Sequence, residues 1–199
     1  VSFKSFISED ENVRYFRLGD VCKIYAGISF KSSFYRDRGF PIIKTRNIQD
    51  NQIVTGDLNY CDLANHKDAM IIKHGDVVMA KDGSCCGKIG INLTDEEFLF
   101  DSHVLQFIPN EKLLIKRYLY HFLLSCQDKI RELAVGSAIP GIRKSELEKI
   151  KIPVSSLEVQ EKVASTLDKF REIEREISLR DKQYEYYRNY LIMGSHDSH

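Results

Sequence analysis

The chain has 199 residues and a mass of 23.1 kDa, enough for one domain with an appendage and tight for two. Hydrophobic residues make up 43% and charged residues 29%, which excludes a disordered polymer. Lys+Arg and Asp+Glu both number 29, and the resulting net charge of zero excludes a uniformly basic nucleic-acid binder but not a locally basic one.

No apolar run is long enough for a bilayer, and the first residues do not read as a signal peptide. The five cysteines, Cys22, Cys61, Cys85, Cys86 and Cys126, are odd in number and irregular in spacing. Reduced thiols and a cytoplasmic setting are therefore expected. No C-x-x-C and no H-x-x-x-H occurs, so no metal site is expected.

In chain order, Phe16-Arg17-Leu18-Gly19-Asp20-Val21 reads as an amphipathic start. Short apolar runs at 40–43, 52–55, 77–80, 88–91 and 104–108 read as strands, with turn signals at Asp50-Asn51, His74-Gly75-Asp76 and Asp82-Gly83. After Pro109-Asn110, Leu113, Leu114, Tyr118, Leu119, Phe122, Leu123, Cys126 and Ile130 keep helical spacing up to a stop at Gly136. Residues 150–154 read as extended chain, because Pro153 pushes its predecessor out of helix geometry. Ser155 and Glu158 then form a capping box, with Val154 and Val159 in the staple positions. From Ser156 to Met193 the sequence contains no Gly or Pro, and Gly194 is a stop signal.

That last helix carries Val163, Phe170, Ile177, Tyr184 and Leu191 at seven-residue intervals, broadened by Leu167, Ile173 and Tyr187. The neighbouring heptad row holds Glu174, Asp181 and Arg188. A one-sided, partly polar seam predicts pairing with one partner helix in a preferred register. At about 1.5 Å per residue the helix is roughly 55 Å long, too long for a small domain to cover. The fold class expected is α+β: a mixed or antiparallel sheet with short helices, followed by one long C-terminal coiled-coil helix.

The zero net charge conceals local differences. Between Lys23 and Arg46 stand six basic residues against Asp37 alone, interleaved with Tyr25, Phe30, Phe34, Tyr35 and Phe40. Such a stretch suits phosphate and base contact, although a solvated surface has the same composition. Residues 81–88 and 136–144 are further polar, glycine-bearing loops, and neither is a P-loop. Asp101-Ser102-His103 contains hydrolase residue types, but adjacent residues rarely form a relay in space. Cys85-Cys86 lacks a base partner. A non-catalytic chain is expected. The competing reading is a protein-interaction adaptor without DNA contact, suggested by the net charge and by Tyr184, Tyr186, Tyr187 and Tyr190.

Toward the end of the chain stand Gly136-Ser137-Ala138-Ile139-Pro140-Gly141-Ile142, Lys144-Ser145-x-Leu147, Ile150-x-Ile152-Pro153-Val154 and Leu157-Glu158-x-Gln160. Upstream are Leu18-Gly19-Asp20-Val21, Ala26-Gly27, Ile42-Ile43-Lys44-Thr45-x-Asn47-Ile48, His74-Gly75-Asp76-Val77-Val78-Met79-Ala80 and Gly87-Lys88-Ile89-Gly90. In this order the segments together resemble the specificity subunits of type I restriction–modification systems. Two departures stand out. Ser155-Ser156 replaces the second proline at the helix entry, and Ala26-Gly27-Ile28-Ser29 replaces a Gly-Gly-Thr turn.

The resemblance implies a DNA target-recognition domain over 1–153, a spacer and dimerisation helix over 154–193 and a tail over 194–199. A full subunit of this family has two of each, so this length resembles a half-subunit, either natural or a fragment. It would act as a homodimer through antiparallel long helices on a bipartite, interrupted palindromic site in double-stranded DNA. Methyltransferase subunits would supply S-adenosylmethionine, and a restriction/motor subunit would join them. The chain itself would need no cofactor. Expected phosphate contacts are Lys31, Lys44, Arg46, Lys81, Lys88, Arg143 and Lys144. Expected base readers are Asn47, Asp82, Ser84, Ser102, His103 and Ser137. His103 also lies beside a strand-like run, where a satisfied core histidine is equally expected.

Overall fold

The computed structural model describes residues 12–66, 69–136 and 138–193. Strand β1 (Arg14–Arg17) runs into a single helical turn, α1 (Leu18–Val21), and then β2 (Cys22–Ala26). Eight strands follow: β3 (Phe40–Ile43), β4 (Ile48–Gln49), β5 (Gln52–Ile53), β6 (Asn59–Cys61), β7 (Val77–Ala80), β8 (Ile89–Ile91), β9 (Leu99–Phe100) and β10 (Val104–Pro109). Helices α2 (Lys116–Ser125), α3 (Gln127–Glu132) and α4 (Lys144–Leu147) lead to β11 (Lys151–Val154) and the long α5 (Leu157–Met193).

The α+β expectation is met. An antiparallel sheet has the order β2-β10-β7-β8, and a mixed sheet has the order β6-β3-β9 with β3 and β9 parallel. Two ribbons, β4-β5 and β1-β11, complete the pairing. The four-stranded sheet is apolar on both faces. In β7, Val77 and Met79 enter one core with Phe107, Tyr118 and Leu123. Val78 and Ala80 enter a second core with Ile43, Ile72, Phe98 and Phe100. This follows from the two-residue side-chain period of a strand, and burial on both faces explains why 77–80 reads as an unbroken apolar run. The one polar intruder on β10, Gln106, is buried and donates to Asp76 Oδ2 at 2.7 Å and to the Ile71 carbonyl at 3.1 Å.

Two local expectations need correction. The helix expected after Pro109-Asn110 is divided at Cys126, whose φ of −114° and ψ of 17° separate α2 from α3. Gln127 Nε2 donates to the Gly87 carbonyl at 2.9 Å and so ties α3 to the β7-β8 hairpin turn. The cap of α5 sits one residue later than Ser155. Ser156 Oγ accepts from the Val159 amide at 3.3 Å, whereas Ser155 is buried and its Oγ has no partner among the described residues. The cause is the β1-β11 ribbon, which holds residues up to Val154 extended against Arg14. Fully buried Gln160 then fixes the turn, donating to the Leu113 and Ser155 carbonyls and accepting from the Ile115 amide.

Only the first turns of α5 rest on the domain, with Val163 and Ala164 buried and Leu167 packed against the same core. Arg117 on α2 reaches Glu161 at 2.9 Å and Asp168 at 2.6 Å, and His121 reaches Asp168 at 2.6 Å. Arg171 lies over the Tyr120 ring at 5.4 Å. From 172 to 192 every residue is exposed. No helix among the described residues is long and apolar enough to cross a membrane.

Candidate nucleic-acid interface

The polar loops converge at one end of the β7-β10 pair. The convergence begins at Gly27, just beyond β2. Its amide donates to the Val104 carbonyl and the next amide, of Ile28, to the Phe100 carbonyl, both at 3.1 Å. A Cβ on Gly27 would lie 2.1 Å from the Phe100 oxygen and 2.3 Å from that of Asp101, so this approach requires glycine. It carries Ser29 to Ser102, where the two hydroxyls meet at 3.3 Å.

Three further segments are laced together by backbone bonds. The Lys81 amide donates to the His103 carbonyl at 2.8 Å, and the Lys81 carbonyl accepts from Ile142 at 2.9 Å. The Gly83 amide donates to the Pro140 carbonyl at 3.0 Å. The loop ahead of α4 is thus bonded to the segment leaving β7. On this frame His103 Nδ1 lies 2.8 and 3.0 Å from the two carboxylate oxygens of Asp82, with Lys81 Nζ at 3.8 Å. The His103 side chain is 58% exposed, so it is not a core histidine.

Asp101 lies beneath this pair. Its Oδ1 accepts from the His103 amide at 2.9 Å. Burial pushes its carboxyl above the ordinary range, an effect partly opposed by the His103 amide and by the charges of His103 and Lys44. Lys44, just beyond β3, acts on Asp101 electrostatically and has its Nζ 4.3 Å from the centre of the Tyr35 ring.

The expected contact residues therefore divide. Lys44, Lys81, Asp82, Ser102 and His103 share one cluster, in which His103 is exposed and the other four are half-buried. Ser84 and Arg143 are exposed on the two loops bonded into it. Arg46 is held aside by Asp57 at 3.1 Å and Asn59 at 3.0 Å. Lys144 pairs with Glu148 along α4, Lys31 precedes a 3-10 turn at Ser32–Phe34, and Lys88 is half-buried beyond Gly87. Ser137 lies outside the described residues.

Asn47 is corrected: it is 2% exposed, and its amide is wholly occupied. Its Oδ1 accepts from the Lys44 amide, and its Nδ2 donates to the Val54 and Asp57 carbonyls. It closes a turn and presents nothing to a base edge. Ser29, Tyr35 and Asp101 were absent from the expected contacts. Tyr35 was visible as an interleaved aromatic and Asp101 as a neighbour of two candidates, whereas Ser29 carried no signal.

The residue types of a hydrolase are present without its geometry. His103 engages Asp82, and Ser102 engages Ser29. Cys86 donates to the Lys81 carbonyl at 3.1 Å, and burial pushes its thiol up, away from the reactive thiolate.

The second exposed feature is the stripe on α5. Val163 and Leu167 belong to the domain core, whereas Phe170, Ile173, Ile177, Tyr184, Tyr187 and Leu191 are 45–71% exposed. A groove between α2 and α5 is lined by His121, Leu124, Leu167, Phe170 and Ile173.

Residues 10–181 match the family model of the type I restriction modification DNA specificity domain. The chain is 29% identical over 191 residues to the type I restriction enzyme MjaVIII specificity subunit of Methanocaldococcus jannaschii, covering 92% of this chain and 44% of that one. It is 38% identical over 95 residues to the EcoR124I/EcoR124II specificity subunit of Escherichia coli, covering 43% and 23%. A structure from a type I R-M system superposes with a TM-score of 0.75 at 20% identity, covering 91% of this chain and 44% of that one. The HsdS subunit of Thermoanaerobacter tengcongensis gives 0.67 at 18%, with the same coverage. The last two likenesses concern fold. The chain spans less than half the length of these relatives.

Proposed function

Because the chain belongs to the type I restriction–modification DNA specificity family, we propose that it recognises a DNA sequence and directs methyltransferase subunits to it. It does no chemistry of its own. The observation that carries this reading is the surface cluster of Lys44, Lys81, Asp82, Ser102 and His103, which is built from three separate segments, braced by backbone bonds and topped by the exposed His103. Lysines there suit phosphates, and the flanking polar groups suit base edges. The unpaired stripe on α5 supports pairing with the equivalent helix of a second copy, antiparallel, so that two recognition domains face a bipartite site. Methyltransferase subunits carrying S-adenosylmethionine, and a restriction subunit, complete the assembly in the cytoplasm, a setting that five free cysteines suit.

The test is binding of labelled duplex DNA across a salt series. Lys44→Glu and Lys81→Glu should each weaken binding and flatten the salt slope. Arg46→Glu is a poor probe, because it also breaks the contacts to Asp57 and Asn59. Undiminished DNA affinity in both lysine variants would return the chain to an adaptor role.

A further inference from the structure

Asp82 and His103 are 21 residues apart, yet both carboxylate oxygens of Asp82 face one nitrogen of the imidazole. A carboxylate only accepts hydrogen bonds, so Nδ1 bears a hydrogen in either charge state of the ring. No described residue takes Nε2, and the side chain is 58% exposed. The ring is held by Asp82, and the backbone beneath it by the bond its amide donates to Asp101 and the bond its carbonyl accepts from the Lys81 amide. Of the surrounding charges, Asp82 contacts the ring, Asp101 accepts from the residue's own amide, Lys81 Nζ lies 3.8 Å from Asp82 Oδ2, Lys44 acts on Asp101, and Arg143 follows on the bonded loop.

We propose that Nε2 of His103 reads one base edge in the DNA major groove and that Asp82 is the positioning residue that presents it. The inference rests on the DNA-recognition reading above and narrows it to one atom. The major groove is where base pairs differ in donors and acceptors. With Nδ1 committed to Asp82, a neutral ring offers only an acceptor at Nε2, which matches the amino group of adenine or cytosine. A protonated ring offers only a donor there, which matches guanine N7 or O6, adenine N7 or thymine O4. In either state one ring atom faces one base, so the preference it sets is confined to one position. Lys44 and Lys81 contact phosphate and read no base. Asp82 itself, with both oxygens turned to the ring, does not read a base.

The experiment is selection from a random-sequence duplex pool by the full chain and by its His103→Gln and Asp82→Asn variants. One position of the enriched site should change its base preference by roughly tenfold in His103→Gln, within the range for one base contact. The other positions should stay fixed. Asp82→Asn should blur the same position, because its amide no longer dictates which ring nitrogen bears hydrogen. A His103→Gln site identical to the parent's overturns the proposal. So does an His103→Gln variant that binds all sequences uniformly more weakly with a shallower salt slope, which marks a phosphate contact. If the folded wild type enriches no sequence, DNA recognition itself fails and the base reader with it. An enriched site that His103→Gln leaves unchanged removes only the base reader.

Discussion

His121 Nε2 lies 2.6 Å from Asp168 Oδ1, joining a nearly buried imidazole on α2 to the anchored end of α5. Arg117 approaches the same carboxylate. Three charged or polar groups thus converge where the helix leaves the domain.

Asp168→Ala strips this junction and should lower unfolding stability by about 1–3 kcal/mol, discounted because Asp168 is itself more than a third exposed. Urea unfolding checks this as a lower midpoint at unchanged slope. Burial acts to raise the Asp168 carboxyl, but hydrogen bonds from His121 and Arg117 outweigh it and hold the group below 3.8. A depressed folded value stabilises the protein above the ordinary value and is lost as pH falls through the folded one. An acid series should therefore show the parent losing stability below 3.8 by this route, with Asp168→Asn flatter in that window. Parallel curves would exclude the junction as their cause.

Asp101 has the opposite sign. Burial raises its folded value, so the ionised form opposes folding, and stability from this group grows as pH falls through that raised value. Asp101→Asn keeps an oxygen for the His103 amide. At pH 7 its melting temperature should equal or exceed the parent's, and low-salt DNA binding should tighten as Lys44 loses a neutralising neighbour. A fall in melting temperature would mean that the carboxylate charge itself holds the turn.

Asn47→Ala should cost about 2–4 kcal/mol, since it strands the Lys44 amide and two carbonyls at a buried site. Thermal melting is the measurement. A variant that melts with the parent yet loses DNA selectivity would restore Asn47 as a base reader.

Gly27→Ala forces a methyl group onto two backbone oxygens and should cost about 3 kcal/mol or more. Gly56→Ala, with nothing within 4 Å of the added carbon, is the control and should stay within about 0.5 kcal/mol of the parent. Equal melting of the two would show that the Gly27 segment can yield.

The parts of this fold legible from sequence are those where one period dominates. The runs in β7 and β10 stood out because both faces are buried, and α5 because its stripe persists for many turns. Strands β4, β6 and β9, of two or three residues each, are too short to display a period. Strand β2 was hidden within the basic stretch that began at Lys23, since its burial alternates. The candidate interface was legible as loops and residue types, not as pairs. Nothing local links Asp82 to His103, and nothing in the composition of residues 44–47 distinguishes buried Asn47 from exposed Arg46. Those differences arise from tertiary hydrogen bonds, as does the one-residue shift of the α5 cap.

A rod held at one end is a lever. Leu191 lies 23 residues beyond Asp168, about 35 Å along the axis at about 1.5 Å per residue. A rotation of about 5° at the Asp168 junction would swing that tip by about 3 Å, close to the 3.4 Å rise of one base-pair step. An assembly that used this helix as a spacer along DNA would therefore depend on the angular stiffness of a few side chains on α2 as much as on the length of the helix.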